Sequence, residues 1–177
     1  MDVSQGVFLD LASVDKGDLD ARALDRSLAG WQWYERSSAD QVAERIETAE
    51  VVVSNKCVLD GDILARTKNL RLIVIAATGT EVVDLEAAAK SGITVCNIRN
   101  YATGSVAQHT ITLIQNLVSS QSHYVDRVRR GDWSRAEQFS LHDKTIRELA
   151  DLQLGIIGYG VVGQAVARLA RALGMNV

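Results

Sequence analysis

The sequence predicts an α/β protein whose first part is an open, doubly wound parallel sheet. Four short apolar runs alternate with stretches that have helical character, and the helical stretches carry recognisable capping residues. A glycine-rich turn between a strand-like run and an amphipathic helix follows later in the chain. Apolar runs without strict alternation indicate strands that are covered on both faces, as in parallel sheets.

The four apolar runs are short enough for strands and rich in Val and Ile, which favour extended structure. They are 6–10 (GVFLD), 50–54 (EVVVS), 70–77 (LRLIVIAA) and 92–97 (GITVCN). Residues 1 to about 100 are therefore predicted to form one doubly wound unit.

Two helices between these strands are predicted from their ends. Ser38 and Gln41 have the spacing of a capping box, in which each side chain accepts a hydrogen bond from the other residue's backbone. Asp84 is a suitable N-cap for the helix LEAAAKS, and Gly92 a suitable stop for it.

A long apolar helix is predicted after the fourth strand, with Ser105 and Gln108 as a second capping box. It reads as a connection between domains and is followed by a polar helix at roughly 119–130. The charged stretch that comes next shows weak periodicity and is predicted to be a surface excursion. The run LQLGIIG then predicts the first strand of a second sheet.

Gly158, Gly160 and Gly163 form a Gly-x-Gly-x-x-Gly turn directly after this strand. Such a turn opens dinucleotide-binding domains: the first glycine permits a sharp exit from the strand, the second lets a pyrophosphate approach the backbone, and the third allows close helix–strand contact. The N–H groups of Val161 and Val162, in the first helical turn, are expected to face the phosphates. The alternative is a packing turn without a ligand.

The second half of this fingerprint, an acidic residue about 20 positions further on, would fall beyond Val177. The sequence therefore leaves NAD and NADP both open as cofactors. One strand and one helix do not make a nucleotide-binding sheet, and the chain reads as the amino-terminal fragment of a longer protein. In that case we expect an apolar stripe on the last helix to be exposed or buried against another copy. Its residues are Val162, Val166, Leu169 and Leu173.

Composition excludes several classes of function. Of the 177 residues, 47% are hydrophobic, and the net charge of −3 is spread without a basic patch, which argues against nucleic acid as a partner. No apolar run approaches the ~18 residues of a membrane helix, and the first residues lack the pattern of a signal peptide. We expect a cytoplasmic protein that does not associate with membranes. Cys57 and Cys96 show no metal-site spacing, and no metal is predicted.

Two long stretches together resemble the D-isomer-specific 2-hydroxyacid dehydrogenase family. They are LRLIVIAATGTEVVDLEAAAKSGITVCNIRNYATGSVAQHTITLIQNL and DLQLGIIGYGVVGQAVARLARALGM. The likeness covers roughly residues 50–177, and the sequence NYATGSVAQHT is closest to the glycerate dehydrogenase or hydroxypyruvate reductase branch. The resemblance implies hydride transfer between a nicotinamide and a small 2-hydroxy or 2-oxo acid, and we expect a homodimeric enzyme.

The resemblance also implies the domain organisation. Residues 1–101 would be a flavodoxin-like substrate domain, and 102–130 would be crossover helices. Residues 131–177 would be the truncated start of a Rossmann domain that binds NAD or NADP.

Site residues follow from the resemblance in the same way. Ala77, Thr78 and Gly79 match a loop that contributes backbone groups to the substrate carboxylate, and Thr78 also lies on the nicotinamide side. Thr110 matches a position that touches the cofactor, and Tyr101 a position with a substrate-side hydroxyl in some relatives. For each, a purely structural role is the alternative.

The family's catalytic His, Glu and Arg all lie after the glycine turn and cannot be carried onto this sequence. His109, His123 and His142 receive no catalytic assignment, and the 177 residues alone are expected to be inactive. A second hypothesis is a non-catalytic, nucleotide-sensing interaction protein with the same fold. A free-standing flavodoxin-like domain is a third.

Overall fold

The structure, a computed structural model, describes residues 4–177. The chain divides into a first unit that ends at Arg99 and a second unit, Asn100–Val177. Among residues 4–177 no helix is long and apolar enough to cross a membrane. In the same part of the chain, no group of three His, Cys, Asp or Glu side chains is placed to hold a metal ion.

Within residues 4–99, the first unit contains five strands, four α-helices and a short 3-10 helix, Leu11–Ser13. The strands are β1 (Gln5–Phe8), β2 (Gly30–Trp33), β3 (Val51–Ser54), β4 (Leu72–Ile75) and β5 (Thr94–Asn97). The helices are α1 (Arg22–Asp25), α2 (Ala39–Ile46), α3 (Gly61–Ala65) and α4 (Leu85–Lys90). The strands form one sheet in the order β2-β1-β3-β4-β5, and every neighbouring pair is parallel.

The four predicted strands and the α/β class are confirmed, and the strand order is that of flavodoxin-like sheets. Strand β2 was not predicted. It is an edge strand, and its sequence GWQW alternates between exposed and half-buried residues instead of forming an apolar run. Trp33 stacks on Phe8 of the neighbouring strand, so aromatic contacts hold this edge in place of aliphatic burial.

The core of the first unit is aliphatic, and Ile46, Val52 and Ile73 are fully buried in it. Both predicted helix starts there are confirmed. The Ser38 N–H donates to Gln41 Oε1 at 3.1 Å, and the Asp84 carboxylate accepts a hydrogen bond of 2.9 Å from the Ala87 N–H. Helix α4 ends before Gly92, whose φ of 70° is the left-handed conformation that favours glycine.

The second unit contains four helices: α5 (Thr103–Ser119), α6 (Gln121–Arg129), α7 (Asp132–Arg135) and α8 (Val161–Ala172). The predicted capping box at Ser105 and Gln108 is wrong. Helix α5 begins earlier, with Ala102 as N-cap, and the Ser105 hydroxyl instead donates to the Ala102 carbonyl at 3.1 Å. Ser105 thus lies inside the first turn.

Helix α8 packs against α5 through small and aliphatic side chains. The buried cluster joins Ala107 and Ile111 of α5 to Ala165, Val166 and Ala170 of α8. The prediction that Val166 is exposed is therefore wrong, because α5 covers this face of α8. The other three residues of the predicted stripe, Val162, Leu169 and Leu173, are 39%, 41% and 36% exposed.

The predicted strand before the glycine turn is extended but forms only one parallel bridge, between Gln153 and Asn176. The Leu154 N–H donates to the Asn176 carbonyl at 2.7 Å, and the Asn176 N–H donates to the Leu152 carbonyl at 2.9 Å. The chain therefore runs in the same direction before and after helix α8, as in a parallel β–α–β crossover.

The charged segment after α7, which was predicted to lie on the surface, is bonded to helix α6 through two neighbouring residues. The Asp143 carboxylate contacts the His123 ring at 2.7 Å and also pairs with Arg127. One residue on, the Lys144 N–H donates to the Tyr124 hydroxyl at 3.1 Å, and this hydroxyl lies 3.0 Å from the Lys144 carbonyl. A hydrogen bond from His123 is the largest of the effects that lower the pKa of Asp143.

This arrangement predicts a pH dependence that begins at acidic pH. Because the folded-state pKa of Asp143 is lowered, its stabilisation of the segment is fully present above about pH 4 and is lost as the pH falls through the lowered pKa. The amide NMR signal of Lys144 should report this loss, and Asp143→Asn should remove the dependence. Asp126→Asn, on the same helix, serves as control. An acid titration in which the Lys144 signal responds identically in all three proteins would contradict the role of Asp143.

Candidate functional site

The glycine turn has the backbone conformation that its sequence predicts. Gly158 has a φ of 92°, in the left-handed region that side chains disfavour, and it turns the chain out of the extended segment. Gly160 is the N-cap of α8 and has an ordinary φ of −75°. The Gln164 side-chain amide donates to the Tyr159 carbonyl at 3.1 Å, which braces the turn from the helix.

Gly160 and Gly163 differ in the space that is available beside the α-carbon. A Cβ atom at Gly163 would lie 2.2 Å from the Gly158 carbonyl oxygen, a backbone atom that cannot be moved cheaply. A Cβ at Gly160 would meet no protein atom within 4 Å. The third glycine thus permits close packing between helix and turn, whereas the second leaves open space beside the backbone.

The amino terminus of α8 offers free backbone donors at this open space. Its first backbone hydrogen bond runs from the Gln164 N–H to the Gly160 carbonyl, so the N–H groups of Val161, Val162 and Gly163 precede the helical ladder. The positive end of the helix dipole adds to their attraction for an anion.

A cleft of about 430 Å³ lies along this turn. Gly158, Val162 and Gly163 line it, and so does Thr110 of helix α5. The Thr110 hydroxyl donates to the Val106 carbonyl at 2.8 Å, so its oxygen remains able to accept a hydrogen bond in the cleft. The structure therefore brings Thr110 together with the glycine turn.

The loop Ala77–Thr78–Gly79 follows β4 in the first unit and is tied to the chain after β5. The Ile98 N–H donates to the Ala77 carbonyl at 3.0 Å, the Thr78 hydroxyl donates to the Ile98 carbonyl at 3.0 Å, and Asn97 Nδ2 donates to the Thr78 carbonyl at 2.7 Å. Within residues 4–177, no hydrogen-bond acceptor pairs with the backbone N–H of Thr78 or Gly79. The loop thus presents two unpaired backbone donors, with the Glu81 carboxylate beside Gly79.

Tyr101 lies in the turn before α5 and is 62% exposed. It does not line the cleft at the glycine turn. It belongs to the second unit together with Thr110 and the three glycines, whereas residues 77–79 belong to the first.

Polar residues at the carboxyl ends of β1 and β3 were not singled out from the sequence. Asp10 is only 6% exposed, and its carboxylate accepts hydrogen bonds from the N–H groups of Asn55 (2.9 Å) and Lys56 (2.6 Å). The available signal was their position, because Asp10 is the last residue of one predicted strand and Asn55 and Lys56 come after the end of another. In a parallel sheet those positions share one edge.

The different surroundings of two glycines give a direct test of this geometry. Gly163→Ala should lower the free energy of unfolding of the second unit by about 2 kcal/mol or more, since the new methyl group overlaps a backbone oxygen. Gly160→Ala changes the unfolded chain equally and should cost less than about 0.5 kcal/mol. Urea unfolding followed by the amide signals of α8 measures both. Equal stability of the two variants would contradict the close contact.

Comparison with known proteins agrees with these features. The family described as "D-isomer specific 2-hydroxyacid dehydrogenase, catalytic domain" matches residues 14–176. The chain is 41% identical over 166 residues to a glycerate dehydrogenase of Methylorubrum extorquens, covering 90% of this chain and 53% of that protein. It is 36% identical over 174 residues to a hydroxypyruvate reductase of Blautia hydrogenotrophica, covering 97% and 54%.

A solved structure shows the same fold. The D-lactate dehydrogenase of Aquifex aeolicus, complexed with NAD and lactic acid, superposes with a TM-score of 0.77 at 29% identity, covering 96% of this chain and 49% of that chain. The chain thus spans about half the length of the relatives it matches. On the family match and these identities, the chain belongs to the D-isomer specific 2-hydroxyacid dehydrogenase family.

Proposed function

We propose that this chain contributes the dinucleotide-phosphate site and a substrate-carboxylate loop to an NAD- or NADP-dependent oxidoreductase. The reaction is hydride transfer between a nicotinamide and a small D-2-hydroxy or 2-oxo acid, of the glycerate or hydroxypyruvate type. The observation that carries the proposal is the pairing of open space at Gly160 with free N–H groups at the start of α8.

The residues present fit a dinucleotide. The N–H groups of Val161, Val162 and Gly163 would bind the pyrophosphate oxygens, and the absence of a side chain at Gly160 allows them to come close to the backbone. Thr110 would accept a hydrogen bond from the cofactor across the cleft. When bound, the nicotinamide supplies the hydride acceptor or donor of the reaction.

The loop Ala77–Thr78–Gly79 is proposed to bind the substrate carboxylate. Its two free N–H groups, at Thr78 and Gly79, match the two oxygens of a carboxylate, and the hydrogen bonds to Asn97 and Ile98 hold them in place without a ligand. We assign Tyr101 a substrate-side hydroxyl, which its exposure allows. No residue of this chain is assigned the proton transfer.

Two further properties are proposed. The A. aeolicus relative is complexed with NAD, which supports NAD, and we keep NADP as the alternative because the discriminating acidic position is not matched in these residues. A cytoplasmic location is proposed from the composition, in which 47% of the residues are hydrophobic and the net charge is −3.

A nucleotide titration of the isotope-labelled chain tests the phosphate site. NADH, NADPH and ADP should shift the amide NMR signals of residues 160–163, whereas adenosine, which lacks phosphate, should not. Gly160→Ala should weaken the binding of all three nucleotides about tenfold or more, because loss of one or two phosphate hydrogen bonds costs that much.

Gly104→Ala provides the matched control, since a Cβ there also meets no atom within 4 Å but lies in the first turn of α5 and not in the glycine turn. Its nucleotide affinity should equal that of the unmodified chain. Equal shifts with adenosine, or an unchanged affinity of Gly160→Ala, would overturn the assignment of residues 160–163.

We also propose that the protein is a homodimer held by the second unit. Large apolar side chains on α5 and the segment after α7 are solvent-exposed, with Leu117 at 80% and Phe139 at 92%. Ile146, beside the Val118 carbonyl that accepts the Arg147 N–H, extends this surface. Exposed apolar groups of this size favour self-association.

Light scattering over a range of concentrations tests the dimer. We expect twice the mass of one chain, and a monomer for the double variant Leu117→Glu, Phe139→Glu, since each buried carboxylate would lack a partner. Leu19→Glu, at an exposed leucine of the first unit, should leave the mass unchanged. A monomer of the unmodified chain at every concentration would contradict this proposal.

A further inference from the structure

A cavity of the first unit lies at the carboxyl ends of β1, β2 and β3 and is not used by the proposed reaction. Its volume is about 620 Å³, within the range of small-molecule sites. The order of the sheet reverses between β1 and β3, and open α/β sheets bind ligands at such a reversal. Residues 77–79 do not line this cavity.

Hydrogen bonds connect the segments that line the cavity, so the cavity is formed without a ligand. Arg45 Nη1 donates to the Arg36 carbonyl at 2.7 Å and to Ser37 Oγ at 2.5 Å, and the Ser37 hydroxyl donates to the Leu9 carbonyl at 2.5 Å. Buried Asp10 ties the loop after β1 to the loop after β3. A preformed cavity spares a ligand the cost of ordering these loops.

The interior of the cavity is mainly apolar, with Ala12, Val42 and Ile63 among its lining residues. Cys57 also lines it. Burial, with a further contribution from the charge of Asp10, raises the pKa of the Cys57 thiol, so that this group is neutral at physiological pH. The interior therefore suits an aliphatic group.

Charged residues of both signs line the cavity on each of two loops. Glu35 and Arg36 come from the loop after β2, and Lys56 and Asp60 from the loop after β3. Among the ion pairs of residues 4–177, none involves these four side chains. A ligand with a single charge would leave the groups of one sign without a counterion, whereas a ligand with both charges pairs with both.

We propose that this cavity binds a free α-amino acid with an apolar side chain. The carboxylate pairs with Arg36 or Lys56, the ammonium group pairs with Glu35, and the aliphatic side chain enters between Val42 and Ile63. The site goes beyond the proposed reaction and does not depend on it.

Calorimetric titration of the chain with three probes tests the proposal. L-leucine has both charges, isocaproate lacks the ammonium group, and isopentylamine lacks the carboxylate. Leucine should bind, and each of the other two should bind about tenfold more weakly or less, as expected for the loss of one charged contact. Equal affinity for all three would overturn the amino-acid assignment, and no binding of leucine would overturn the site.

Variants locate the binding. Arg36→Gln together with Lys56→Gln should weaken leucine and isocaproate but not isopentylamine. Glu35→Gln should weaken leucine and isopentylamine but not isocaproate. Arg66→Gln, an exposed arginine at the end of α3 that does not line the cavity, should change none of them.

Ala39→Phe fills the cavity from the exposed first residue of α2 without altering a charge. It should abolish leucine binding while the circular dichroism and unfolding midpoint remain those of the unmodified chain. Undiminished leucine binding by this variant, or amide NMR shifts confined to residues outside the loops after β1, β2 and β3, would place the amino acid elsewhere and overturn the proposal.

Discussion

Parallel pairing is the constraint on which the rest of this structure depends. All four strand pairings of the first unit are parallel, so the loops that follow β1, β2, β3 and β4 emerge at the same edge of the sheet. In the second unit, Gln153 precedes helix α8 and Asn176 follows it. The single bridge between these two residues is also parallel. The loop 77–79, the loops that line the cavity at Asp10 and the glycine turn all follow segments that run in this way.

The sequence predicts those parts of the fold that depend on local chemistry. The apolar residues of β1, β3 and β4 are buried or half-buried between layers, and burial on both faces leaves a pattern that is visible without a structure. Ser38 and Asp84 act through neighbours three residues away, so their roles can also be read locally. The conformations at Gly158 and Gly163 follow from the motif for the same reason.

Other features depend on partners far away in the chain, and these the sequence did not reveal. Strand β2 is stabilised by its pairing with β1 and by the contact of Trp33 with Phe8. No pattern within the sequence of β2 itself predicts these two contacts. The cover of Val166 by α5 requires two helices more than forty residues apart to meet. The cavity at Asp10 likewise arises from three loops, and its lining is recognisable only after the strand order is known.

The contact between α5 and α8 is made largely by alanine, at Ala107, Ala165 and Ala170. Thr110 and the glycine turn lie on either side of this contact and line the same cleft. The methyl groups therefore set how closely the two helices approach, and with it the width of this cleft. The dimensions of the cleft are thus governed by the smallest side chains of the second unit.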